Sequence, residues 1–283
     1  MARPHVEYLQ TQSLAWQPSP WAHLTGCHVK TLSRDPVNGA ASLLVRFPAG
    51  WQNTSPGYLS TSEEVFVLEG ALDLGGRRWG QDCYGWFPPG TVHSSRGAPD
   101  GAVALLFYDA EPSWTLGHGF AEGNAAGNGT TVFADAYEMP WKPIEMRPTQ
   151  DGWGANEKIL RGRPGDDEMT LLVAFPAHMH PDQWVGPQEL HACTEELFLL
   201  SGDCLSNIGQ MFPGAYFWRP AGIGHGPYGS RGGNLALLRT HGAPLTMSWT
   251  SHEVALARSP EYQPVLPREL NSLRSRPWRP QSY

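Results

Sequence analysis

Four side chains in the second half of the chain have the types and spacing of a metal site: Glu189, His191, Glu195 and His225. On an extended strand, side chains two residues apart share a face. Glu189 and His191 can therefore point a carboxylate and an imidazole into the same space. Glu195 opens an apolar run, and the same alternation that turns it inward turns its neighbour Glu196 outward. His225 follows a Pro220-x-Gly222 turn that leads toward another strand. Two imidazoles and one carboxylate are the ligand composition of non-haem Fe(II) oxygenases, and this donor set with open positions also suits Mn(II), Ni(II) or Zn(II). Glu189 either adds a fourth ligand or acts as the partner that orients His191.

Other residues near this set bear on chemistry. His178 and His180 form a separate pair two residues apart. On a lumen-facing strand they would serve as acid–base groups or hydrogen-bond a substrate; elsewhere they are ordinary strand histidines. Tyr216, Phe217 and Trp218 lie between the two motif halves. Alternation puts Tyr216 and Trp218 on one face, where they would keep a metal site dry, and Phe217 on the other. Cys193 reads as a small buried thiol.

The elements that must position these groups come in two copies. Lys30–Ala49 and Lys158–Ala177 share Lys, Leu, Arg, Pro, Leu-Leu-Val and Phe-Pro-Ala at an offset of 128. Glu63–Gly70 matches Glu195–Gly202 at an offset of 132, as do Pro88, Gly90 and His93 with Pro220, Gly222 and His225. Each copy holds short β-branched and aromatic runs broken by Gly and Pro, the pattern of a sandwich or barrel. With 32 Gly, 26 Pro and only 17% charged residues, the composition favours many turns and a folded core. The copies are expected at 16–115 and 136–252, joined through an exposed GNAAGNG loop. The Arg- and Pro-rich tail, 253–283, would wrap the surface or fray.

The first copy keeps Glu63 and His93, but Gly57 and Leu59 stand where Glu189 and His191 stand in the second. One metal ion per chain is therefore expected, in the second copy, with the first serving to shape its twin.

Glu189-x-His191-x3-Glu195-x6-Gly202 followed by Gly214-x5-Pro220-x-Gly222-x2-His225 resembles the two signature motifs of the cupin superfamily. Two departures exist: Glu189 replaces the first His of the first motif, and Gly229 replaces the Asn that closes the second. The tandem pattern resembles uncharacterised bacterial bicupins and, in its motifs, the cupin domain of ChrR-type anti-sigma factors. The resemblance covers roughly residues 20–250. It implies an all-β chain of two tandem jelly-roll barrels, whose strands bring His191, Glu195 and His225 onto one divalent metal, Fe(II) foremost, with Glu189 as a fourth ligand or as the partner that orients His191. It also implies one of three functions. The first is a dioxygenase acting on a small chelating or aromatic substrate. The second is a Lewis-acid lyase, isomerase or hydrolase with Glu189 or a nearby His as base. The third is a non-catalytic sensor.

The remaining sequence features narrow the partners. A net charge of −7 gives no general attraction to nucleic acid or anionic lipid. No apolar run of membrane-spanning length and no signal-peptide core is seen, so the cytoplasm is the expected compartment. The four cysteines lack metal or disulfide spacing and read as reduced thiols. The expected partner is a small-molecule substrate, with a homodimer left open.

Overall fold

The computed structural model describes residues 3–117, 130–144 and 154–275. The expected all-β architecture is what forms. Among the described residues the helices are short 3-10 turns, at Thr11–Ser13, Ala22–Leu24 and Arg268–Leu273. The chain divides into two compact units. One comprises Met1–Pro4 and Leu14–Met139, the other His5–Ser13 and Pro140–Tyr283.

The first unit is built on a seven-stranded antiparallel sheet. Its order is Val132–Asp135, Cys83–Phe87, Glu63–Gly70, Ala102–Tyr108, Ala41–Phe47, His28–Arg34, Gln17–Pro18. The second unit repeats it with Val6–Gln10, Ala215–Arg219, Thr194–Gly202, Asn234–His241, Met169–Phe175, Asn156–Arg161 and Lys142–Pro143. The offsets read from the sequence recur as strand bounds. Ala41–Phe47 maps onto Met169–Phe175 at 128, and Cys83–Phe87 onto Ala215–Arg219 at 132. One strand in each sheet departs from chain order. Val6–Gln10 precedes the first copy yet lies in the second unit, while Val132–Asp135 precedes the second copy yet lies in the first.

The glycine that closes the first motif has a steric cause in both copies. Gly70 and Gly202 adopt positive φ, at 70° and 78°. A Cβ there would sit 2.2 Å and 2.0 Å from the carbonyl oxygens of Gly101 and Gly233. Only glycine permits both the conformation and the approach.

Apolar side chains from alternate positions of these strands form each core, such as Leu43, Val65 and Leu106 in the first unit and Leu171, Leu199 and Phe217 in the second. The GNAAGNG segment, 123–129, and the last part of the tail, 276–283, lie outside the described residues. The rest of the tail packs on the second unit. Glu7 bridges Val265, Tyr262 donates a 2.7 Å hydrogen bond to the Tyr8 carbonyl, and Leu266 and Leu273 are buried. All four cysteines are free, and Cys193 is buried as expected.

Candidate metal centre

The strand Trp184–Leu190 carries Glu189, and His191 follows it directly. The backbone of Glu189 pairs with that of His225, with N–H···O distances of 2.8 and 3.0 Å. The Pro220–Gly222 turn is what returns the chain to this pairing; Gly222 takes a φ of 76° and donates its N–H to the His191 carbonyl. The result is one cluster: a carboxylate oxygen of Glu189 and ring nitrogens of His191 and His225 lie within 4.8 Å of one another. Among the described residues no other group of His, Cys, Asp or Glu gathers in this way.

Glu195 faces the same space. Its Oε1 lies 3.5 Å from His191 Nε2 and its Oε2 3.4 Å from His225 Nε2. Glu196 faces the other side of the sheet, but it is not solvent-facing as expected. It is buried, accepting hydrogen bonds from Tyr216 and Arg239. The reason is that both faces of this strand are packed, so alternation chooses between two interiors.

Both histidines are oriented in the manner of ligands. His191 Nδ1 lies 2.8 Å from the Thr246 carbonyl, which fixes the proton there and leaves Nε2 turned to the cluster. His225 Nδ1 lies 2.9 Å from the Tyr228 hydroxyl. Its Nε2 is buried with no hydrogen-bond partner among the described residues. A buried imidazole nitrogen left without a partner is costly unless something else satisfies it. A cation accepted by this nitrogen, by His191 and by the carboxylates meets that need, so the residues present fit a divalent ion.

The charges around the cluster shift both rings. For His191, burial opposes the charged form, but Glu189, Glu195 and the Thr246 carbonyl together outweigh it and raise the pKa. For His225, burial and then the Arg219 guanidinium and His191 lower it strongly.

Arg219 ends the strand Ala215–Arg219 and was not anticipated from the sequence, nor was Glu7. Its Nη1 donates to Glu195 Oε2 at 2.7 Å. Its Nε and Nη2 donate to the two carboxylate oxygens of Glu7, at 2.8 and 3.1 Å, and Nη2 also reaches the Tyr228 hydroxyl at 3.1 Å. Glu7 is turned inward by an irregularity in its strand. The register against Ala215–Arg219 shifts between Val6 and Leu9, and Tyr8 adopts a φ of 58°. One guanidinium thus holds Glu195 and the tyrosine that orients His225, and Glu7 holds the guanidinium.

Burial alone would raise the Glu7 pKa, but Arg219 and His5 bring it down to about 2. A carboxylate with a depressed folded pKa stabilises the fold above its unfolded value and loses that stabilisation as pH falls through the folded one. Glu7→Gln should therefore flatten the acid side of the melting curve between about pH 4.5 and 2, where the wild type forfeits roughly 3 kcal/mol. The same variant should bind a divalent ion roughly 10–100-fold more weakly at neutral pH, as expected for loss of an outer partner. Thermal melts across pH and metal titration of the folded variant check the two effects separately.

The cluster opens onto a cavity of about 630 Å³. His178 lines it. His180 does not; its ring stacks on Trp184 at 4.0 Å. The two histidines do not share a strand face because the strand ends at Phe175 and the segment beyond is irregular. The aromatic assignment also changes. Phe217 lines the cavity, whereas Tyr216 and Trp218 are buried on the opposite face with Glu196. The strand pairing Glu195↔Arg219 and Leu197↔Phe217 sets this phase.

The corresponding point of the first unit is built differently. Gly57 pairs with His93 as Glu189 pairs with His225. A Cβ on Gly57 would meet the Trp114 indole at 2.4 Å, so that ring fills the space a ligand side chain would need. Glu63 accepts from Arg96 at 3.0 Å and from Tyr108 at 2.9 Å. A guanidinium supplies the positive charge beside this carboxylate. His93 stands 3.9 Å from Glu63, and burial followed by Arg96 lowers its pKa to about 4.

A family model described as a domain of unknown function, DUF4437, matches residues 9–245. Among solved structures, a candidate dioxygenase from Nostoc punctiforme is 16% identical, with 90% of this chain and 88% of that one covered and a TM-score of 0.73. Oxalate decarboxylase from Bacillus subtilis is 14% identical, with 86% and 78% covered and a TM-score of 0.54. A candidate glyoxylate-induced protein from Pseudomonas aeruginosa is 14% identical, with 83% of each chain covered and a TM-score of 0.53. No curated protein sequence matches the chain. At these identities the likeness is one of fold alone, a jelly roll of the cupin type. No helix among the described residues is long and apolar enough to cross a membrane.

Proposed function

The chain belongs to the DUF4437 family, and from the site it carries we propose that it is a mononuclear metal-dependent bicupin enzyme, a non-haem dioxygenase of a small chelating or aromatic substrate. The observation that carries this reading is the pair of His191 and His225 beside two carboxylates, with His225 Nε2 buried and without a hydrogen-bond partner among the described residues. His191, Glu195 and His225 are the proposed ligands, and Glu189 is the fourth. A divalent ion held there supplies Lewis acidity and, as Fe(II), electrons for O2. The remaining work falls to the chain's own groups. The Thr246 carbonyl holds His191 in one tautomer, and Tyr228 holds the direction of the His225 ring. Arg219 keeps Glu195 from swinging away. Leu197, Leu199 and Phe217 exclude water from the cavity. His178, on the cavity wall with Nδ1 2.9 Å from the Pro176 carbonyl, is placed to hold or deliver a proton.

The test is anaerobic reconstitution with Fe(II) and measurement of oxygen uptake on β-diketones, catechols and hydroxylated aromatic ketones. Metal-dependent uptake with one of these classes is the expected outcome. Turnover of a carbonyl or lactone substrate under nitrogen, with no uptake from any of them, would replace the dioxygenase by a Lewis-acid enzyme with Glu189 as base. Tight ligand binding without turnover would leave a sensor of the ChrR-like kind.

A further inference from the structure

The walls and charges of the same cavity narrow what it admits. Leu171, Val173, Leu197, Leu199, Phe217 and Leu238 line it from the inward faces of its strands. At about 630 Å³ it is of the size that encloses a drug-sized molecule, well beyond a two-carbon acid. Arg219 is the one permanent cation among the described lining residues, and all three of its nitrogens are engaged by Glu7, Glu195 and Tyr228.

Formal charge points the same way. Glu7, Glu189 and Glu195 set against Arg219 leave two negative charges in excess, which a divalent ion cancels. No positive charge remains to receive a dianion. Glu157, a further carboxylate on the lining, has Lys142 as its strand partner and so adds no free positive charge. Bringing two uncompensated charges into a mostly apolar cavity carries a large desolvation cost. The entrance is apolar as well: Met247 and Trp249 both line the cavity and are 42% and 38% exposed.

We propose, resting on the metal-site reading above, that the substrate is a neutral or singly ionised chelate carrying an extended apolar body, and that small dicarboxylates are excluded. The chelating head meets the cluster, while the apolar body lies along the leucine and Phe217 wall and reaches the Met247–Trp249 mouth.

The experiment uses the full chain reconstituted with Zn(II) and three probes followed by calorimetry: acetohydroxamate, octanohydroxamate and malonate. Each methylene that leaves water should tighten binding about fourfold. Octanohydroxamate should therefore exceed acetohydroxamate on the order of 100-fold or more, and malonate should bind more weakly than either. Met247→Glu should shrink the octano-to-aceto ratio about tenfold. Equal affinity for the two hydroxamates, or malonate as the tightest ligand, would overturn the inference while leaving the metal centre intact. Failure of the wild type to take up Zn(II) or Fe(II) would remove the metal-site reading and this inference with it. Silence in the oxygen assay alongside the expected hydroxamate series would remove only the dioxygenase.

Discussion

His225→Ala and His191→Ala should each abolish stoichiometric metal binding, while His93→Ala leaves the metal content unchanged. The asymmetry follows from what surrounds equivalent positions in a duplicated fold. His225 offers an Nε2 that is buried and without a hydrogen-bond partner among the described residues, with Nδ1 tied to Tyr228. His191 offers an Nε2 turned to the cluster by the hydrogen bond from its Nδ1 to the Thr246 carbonyl. Removing either should cost more than the roughly 10–100-fold that loss of an outer partner costs. His93 has no such company, since Trp114 occupies the space beside Gly57, and Arg96 gives its charge to Glu63 alone among the described residues, whereas Arg219 divides its charge between Glu195 and Glu7. Elemental analysis of the three folded variants after reconstitution reads the result. Two ions in the wild type, with one lost in His93→Ala, would show that the first unit also binds metal.

Glu195→Gln and Glu196→Gln should separate metal from stability, although the residues are adjacent and alike. Glu195 lies 3.4 and 3.5 Å from the two imidazole nitrogens, so its neutral amide should leave the ion weakly held in a folded protein. Glu196 is 2% exposed and pairs with the equally buried Arg239. Removing its charge takes a carboxylate away from a guanidinium held in the interior. The expected cost is about 3–5 kcal/mol, or roughly 6–20 °C in Tm, with metal binding retained. Metal titration and thermal melts of both variants distinguish the two. Metal loss in Glu196→Gln with retention in Glu195→Gln would shift the strand register by one residue and with it each cavity assignment.

Much of this was legible because strands and duplication write themselves into sequence. The repeat offsets became strand bounds, and motif spacing placed Glu189, His191 and His225 in one cluster. Glu7 was not legible: its partner Arg219 is 212 residues away, and a long-range ion pair leaves no periodic trace. The burial of Glu196 was missed because charge argues for solvent, whereas this strand is covered on both faces. Tyr216 and Trp218 were given the wrong face because alternation fixes which residues are alike, not which set faces the cavity. The pairing of Arg219 with Glu195 supplies that phase. His180 was misplaced because strand parity was extended past Phe175, where the strand ends.

Anomalous diffraction at the metal edge, from crystals of the reconstituted full chain, tests the central claim most directly. The expected result is a single peak among Glu189, His191, Glu195 and His225. A peak between Glu63 and His93, or none at the second-unit cluster in protein that has taken up metal, would contradict it.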